Sequence, residues 1–207
     1  LKLSARLASP ATSAMASPPP VTPDDVRAAA ARIDGHAVRT PVLTSPELDA
    51  AVGHSVFLKC EMFQRTGAFK YRGAANAVLQ LSDEQAARGV VCHSSGNHGA
   101  AVAAAAKARG VPAVVVVPRT TAPIKVENIK SFGAKVVLCE PTGTARAAAA
   151  EAEARRLGGA AIIHPYNQAE VIAGQHLRCP TANIRDAEVP ISMATTCEHV
   201  SNSHGML

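Results

Sequence analysis

"VVCHSSGNHGAAVAAAA", residues 90 to 106, changes character twice within a short span. It opens on apolar Val90, Val91 and Cys92, breaks at Ser94 to Gly99, and resumes as a run of alanines. A short apolar run, a glycine-bearing turn and an alanine-rich run read as strand, turn and helix. A helix N-terminus there offers unpaired N–H groups and a partial positive charge, which suits an anion. Ser95, Asn97 and His98 add side-chain donors and acceptors. The plainer reading is an ordinary strand-to-helix loop with a polar cap. The stretch is neither G-x-G-x-x-G nor a Walker loop with its lysine, so the nucleotide fingerprints are absent.

The same alternation continues downstream. "AVVVVP", "KVVLCE" and "AAIIHP" read as strands. "IKVENIKSFG", ending at Gly133, and "TARAAAAEAEARRLGG" read as the helices between them. Continuous apolar strands of this kind are expected where helices cover both faces of a parallel sheet. The fold class is therefore α/β with right-handed crossovers. Upstream, "TPDDVRAAAARIDG" has Thr22 as N-cap, Pro23 at the first helical position and Gly35 at its end. "SPELDAAVG" repeats that grammar from Ser45 to Gly53, and "SVFLKCE" reads as a strand from Ser55 to Glu61.

Composition narrows the function classes. With 47% hydrophobic residues, the 207-residue chain can bury a core. No apolar run approaches the ~18 residues of a membrane span. The net charge of +5 is scattered, with no basic stripe interleaved with aromatics, which disfavours nucleic acid. Five cysteines without a C-x-x-C favour free thiols in a reducing compartment over a disulfide framework. Cys179, Cys197 and His199 match no zinc spacing, so no metal site is expected. "LKLSARLASPATSA" is basic, serine-rich and free of acids, like the start of a plastid or mitochondrial transit peptide. Fourteen residues is short for a transit peptide, so Met15 is the expected start, with residues 1–14 as upstream translated sequence and a cytoplasmic product; the plastid or mitochondrial leader is the alternative.

A second stretch, "FQRTGAFKYRGAANAV" from residue 63 to 78, sets Lys70 between Phe69 and Tyr71. The chain has only four phenylalanines and two tyrosines, so the pairing is conspicuous. Lys70 falls in the first turn of a helix predicted over residues 68 to 81, where a cation opposes the helix dipole. Aromatic neighbours and small residues predict partial desolvation. Both effects favour a neutral amine, the form that attacks an aldehyde. Read in isolation, the lysine is an ordinary solvated one.

Together the two stretches are recognisable. "TGAFKYRGA" resembles the lysine motif of fold-type II pyridoxal-phosphate enzymes, and "HSSGNHG" resembles their cofactor-ring loop. "TPVLTS", "VVVVP", "FGAKVVLCEP" and "VIAGQ" follow the order found in the serine racemase and threonine (serine) dehydratase family. The resemblance covers residues 22 to 175. It implies a tryptophan synthase β-like architecture: 1–21 disordered, 22–88 the first part of a large domain, 89–166 a small α/β domain, and 167–207 the return to the large domain.

It also implies roles. Lys70 would carry pyridoxal 5'-phosphate and act as base on one face of the substrate. Ser95 would serve the opposite face, as racemising an α-carbon requires two opposed acid–base groups. Asn97 would bond the cofactor's 3-hydroxyl and Phe69 would pack beside its ring. Ser94, Gly96 and His98 would grip the carboxylate of L-serine or L-threonine. The implied activity is serine racemase with a dehydratase side activity, in a homodimer; threonine dehydratase is the alternative. Full-length relatives would take Mg2+ and ATP as effectors. Ser45, Arg65 and Thr66 match the effector site, but Ala100 and Phe132 replace its glutamine and tyrosine, which argues against ATP activation.

After Gln175 the grammar fails: "HLRCPTANIRDAEVPISMATTCEHVSNSHGML" has no clear period. The family's four-glycine phosphate loop does not occur in the sequence. The chain is therefore expected to be a truncated, inactive form of such an enzyme; the alternative is a catalytically dead isoform that pairs with a full-length subunit.

Overall fold

The computed structural model describes residues 21–177. The strand signals at residues 90–163 become one four-stranded parallel sheet. Its strands are β3 (Val90–His93), β4 (Ala113–Pro118), β5 (Lys135–Cys139) and β6 (Ala161–Ile162), in the spatial order β5-β4-β3-β6. Val90 pairs with Ala113 and with Ala161, and Val114 pairs with Lys135.

The alternation of side chains across these strands explains why they read as unbroken apolar runs. Val90, Cys92, Val115 and Val117 face one core, which they share with α3 (Lys70–Gln80), α5 (Asn97–Arg109) and α8 (Ala169–His176). Val91, Val114 and Val116 face a second, smaller core under Ala150 and Ala154 of α7 (Gly143–Arg156). Both faces are covered, so both parities must be apolar.

The predicted caps form as read. Thr22 and Asp25 make a reciprocal capping box at the start of α1 (Pro23–Ile33). Ser45 caps α2 (Pro46–Val52), which ends on left-handed Gly53. Gly110 closes α5 in the same way.

One expectation is revised, and two helices are added. The strand predicted from Ser55 to Glu61 is only β2 (Leu58–Lys59), paired antiparallel with β1 (Val42–Leu43). It stops because Glu61 turns inward to an arginine and the chain enters a 3-10 turn, Glu61–Phe63. The short helix α4 (Asp83–Ala87), with its Ser82–Gln85 capping box, was not anticipated, nor was α8. The predicted tail after Gln175 lies almost wholly outside the described residues.

Helix α8 packs on α3 at glycine against glycine. A Cβ on Gly174 would stand 2.7 Å from the Arg72 carbonyl oxygen, and one on Gly73 2.5 Å from that of Val171. Asn76, buried in α3, ties the layer together: its amide donates to the Glu170 carbonyl at 2.7 Å and accepts from Arg32 of α1 at 2.6 Å. This fixes the helix that begins with Lys70. No helix among the described residues is long and apolar enough to cross a membrane.

Candidate active site

Lys70 is the first residue of α3 and Phe69 its N-cap. The lysine is half-buried, its amine 5.1 Å from the Phe69 ring centroid. Nζ donates to the Pro165 carbonyl at 3.1 Å. The two flanking aromatics differ in role. Phe69 walls the amine, whereas Tyr71 is 2% exposed and belongs to the main core.

Pro165 also lines a cleft of about 520 Å³ shared with His93, Ser94, Ser95, Arg146 and His164. Lys70 is thus hydrogen-bonded to Pro165, a residue that lines the same cleft as Ser94 and Ser95, although the two stretches are far apart in sequence. Ser95 is half-buried there, Ser94 Oγ accepts from the Gly96 N–H at 3.3 Å, and Gly96 and Asn97 are exposed at the start of α5. The turn is tight because Gly99 has no Cβ; one there would stand 2.2 Å from the Ser94 carbonyl oxygen.

His98 has a different environment. It is 3% exposed, and its Nε2 lies 3.0 Å from the Ile163 carbonyl. A carbonyl only accepts, so Nε2 carries the proton and Nδ1 is a buried acceptor without a protein partner. Burial pushes its pKa down to about 4, with Lys70, His164 and His93 adding to the effect. A neutral side chain in this state has no donor left for a carboxylate. What His98 can offer an anion is its backbone N–H.

His93 and His164 stand edge to face, 5.6 Å between ring centroids, with Tyr166 against His164 at 4.8 Å. Burial lowers the pKa of both histidines, helped by Arg146 at His93 and by His93 at His164. Arg146 escaped the sequence reading because it sits in an alanine-rich helix. One signal was available: it stands in the first turn of α7, after the Thr142 cap, where a cation opposes the dipole.

The residues of the effector resemblance are engaged locally. Ser45 caps α2, and Arg65 donates to the carbonyls of His36 and Gly35.

An amine beside an aromatic ring and a polar turn at a helix N-terminus are the kinds of group that the class of covalent aldehyde-cofactor enzymes uses. The sequence comparison agrees: the pyridoxal-phosphate dependent enzyme family matches residues 33–178, and the chain belongs to that family. A serine racemase of Arabidopsis thaliana is 50% identical over 144 residues, 70% of this chain and 43% of that protein. The beta-hydroxyaspartate dehydratase of Paracoccus denitrificans is 46% identical over 154 residues, 74% of this chain and 49% of the relative. The structure of maize serine racemase superposes with a TM-score of 0.74 at 46% identity, covering 76% of this chain and 48% of that one. The fold is thus the fold-type II architecture. The chain spans about half the length of the relatives it matches.

The residues present fit the aldehyde and ring of pyridoxal phosphate. A glycine cradle for its phosphate is not among them. The sequence's one adjacent glycine pair, Gly158 and Gly159, closes the end of α7 remote from the cleft.

Proposed function

We propose that this chain supplies the lysine and the substrate loop of a pyridoxal-phosphate dependent serine racemase with a dehydratase side activity. The observation that supports the reading is the bond from Lys70 to Pro165, which lines one cleft with Ser94 and Ser95. When bound, pyridoxal phosphate supplies an aldehyde carbon and a sink for the electron pair released at the substrate's α-carbon. Lys70 holds the cofactor and moves the α-proton on one face. Ser95 donates from the other face, which racemisation needs and elimination does not. Phe69 flanks the ring and Asn97 bonds its polar edge. The backbone N–H groups of Gly96 to His98 and the side chain of Ser94 receive the carboxylate, with Arg146 supplying a positive field.

Serine is the proposed substrate, and threonine or a β-hydroxy acid analogue would enter by the same contacts. The likeness to the Paracoccus dehydratase supports the elimination reaction. A second copy or a full-length subunit is the proposed partner. Residues 22–88 are proposed to share a domain with the chain from 167 onward, since α1, α3 and α8 pack on one another; 89–166 would form the smaller one. Mg2+ and ATP are proposed as effectors of full-length relatives only, because Arg65 and Ser45 have local partners here and Ala100 and Phe132 stand at two effector positions.

The test is trapping. The 207-residue polypeptide is incubated with pyridoxal phosphate, reduced with borohydride and digested. The pyridoxyl mass is expected on the Lys70 peptide and absent in Lys70→Ala. Labelling spread over surface lysines, with Lys70 unmodified, would sink the assignment.

A further inference from the structure

The loop that receives the Lys70 amine is held by a histidine side chain acting as a backbone cap. His164 Nδ1 accepts the N–H of Asn167 at 3.0 Å and that of Tyr166 at 3.4 Å. The side-chain oxygen of Gln168 accepts the His164 N–H at 2.9 Å, closing the loop from the other side. Pro165, enclosed between these bonds, has its carbonyl turned to Lys70 Nζ at 3.1 Å. The ring that makes the cap is fixed in turn by His93 on one side and Tyr166 on the other, both edge to face.

We propose that His164 is a positioning residue: its unprotonated Nδ1 caps the 164–168 loop and so holds the Pro165 carbonyl as an acceptor for the Lys70 amine. The purpose of that bond rests on reading Lys70 as the cofactor lysine; the bond itself does not. Both backbone N–H groups are donors, so Nδ1 must be an acceptor and the ring proton must sit on Nε2. Protonating the ring turns Nδ1 into a third donor, and the cap is lost. The ring is held toward its neutral form by burial and by His93, which lower its pKa. His93 faces it from β3 and Tyr166 from its own loop, Arg146 and the opposing carboxylate Glu151 line the same cleft from α7, and His98 of α5 interacts with both His164 and Lys70. The bond from Lys70 to Pro165 is thus a property of the neutral His164 loop and is weakened in acid.

An amine bonded to this acceptor reacts more slowly than the same amine once that one bond is lost. The 207-residue polypeptide, without cofactor, is labelled with dilute formaldehyde and cyanoborohydride. The methylation of Lys70 is read by mass relative to the exposed Lys125 between pH 5 and 8. In the wild-type chain the Lys70 to Lys125 ratio should rise about fivefold as pH falls, the worth of one ordinary hydrogen bond. His164→Ala should show the raised ratio at every pH. His164→Asn should keep the low ratio at every pH, because an asparagine oxygen caps the same two N–H groups without titrating. Histidines 93 and 98 remain in the asparagine variant, so a step that persists there belongs to them and overturns the proposal. A flat wild-type profile, or an asparagine variant that behaves like alanine, also overturns it. If His164→Ala does not fold, the wild-type profile and the asparagine variant decide alone. Failure of borohydride trapping at Lys70 would remove the cofactor role and leave these ratios unchanged.

Discussion

Arg72 and Glu61 meet fork to fork: Nη2 lies 2.7 Å from Oε1 and Nε 2.9 Å from Oε2, with the two side chains 7% and 13% exposed. Burial alone would raise the Glu61 pKa; the bonds from Arg72 and Thr40 more than offset it, and the carboxyl sits below its ordinary value. The pair joins the ribbon of β1 and β2 to the helix that begins with Lys70. Removing one partner strands a buried charge, so Arg72→Ala or Glu61→Ala should each cost about 3–5 kcal/mol in urea unfolding. The double variant Arg72→Met with Glu61→Leu should cost clearly less than the sum. Additive losses would show that the two groups are not coupled.

The glycine crossing of α3 and α8 gives a second expectation. A methyl at Gly174 would meet the Arg72 carbonyl oxygen at 2.7 Å, the Asn76 Cβ at 2.8 Å and the Gly73 Cα at 2.8 Å. Backbone cannot yield as a flexible side chain would. Gly174→Ala should lower stability by about 1–3 kcal/mol, the usual cost of overpacking, and reduce borohydride trapping at Lys70 as α3 shifts. An unchanged melting temperature would mean that the helices separate easily.

Acid should unfold the chain partly through His98. Its pKa is ordinarily 6.5 and falls to about 4 in the fold, because burial disfavours the charged ring. The unfolded chain then binds the proton first, so stability present above pH 6.5 is lost as pH drops toward 4. The full effect is ~3 kcal/mol. Urea midpoints at pH 7, 5.5 and 4.5 read it. His98→Gln should be less stable at pH 7 and should flatten the slope; a slope identical to wild type would exonerate His98.

Ser95 is tested by joining residues 1–175 to the remaining half of a serine racemase. Ser95→Ala should then reduce D-serine formation by about 10²-fold or more while pyruvate formation falls far less. Equal losses in both products would remove Ser95 as the second proton donor.

By itself, the 207-residue polypeptide is expected to take up the cofactor weakly at Lys70 without turnover. The phosphate is an anion best held by a glycine-rich set of backbone N–H groups, and the sequence contains no such run. D-serine or pyruvate production matching a full-length relative would contradict this.

What the sequence alone determined follows from local rules. Apolar runs of strand length, the Thr22 and Ser45 caps and the terminal Gly53 and Gly110 are written in neighbouring residues, and the parallel sheet with its helices follows from them. The two motifs around Lys70 and Ser95 were likewise legible as chemistry. The tertiary structure alone decided what depends on residues distant in the chain. It gave Lys70 the Pro165 carbonyl as partner and sent Tyr71 into the core while Phe69 stayed at the amine. It ended β2 early by drawing Glu61 to Arg72. It buried the His98 ring against Ile163, so that a residue legible as a carboxylate ligand presents a neutral, donor-spent side chain. Burial and long-range hydrogen bonds set the charge and reach of each of these groups, and neither is encoded in the spacing of neighbouring residues.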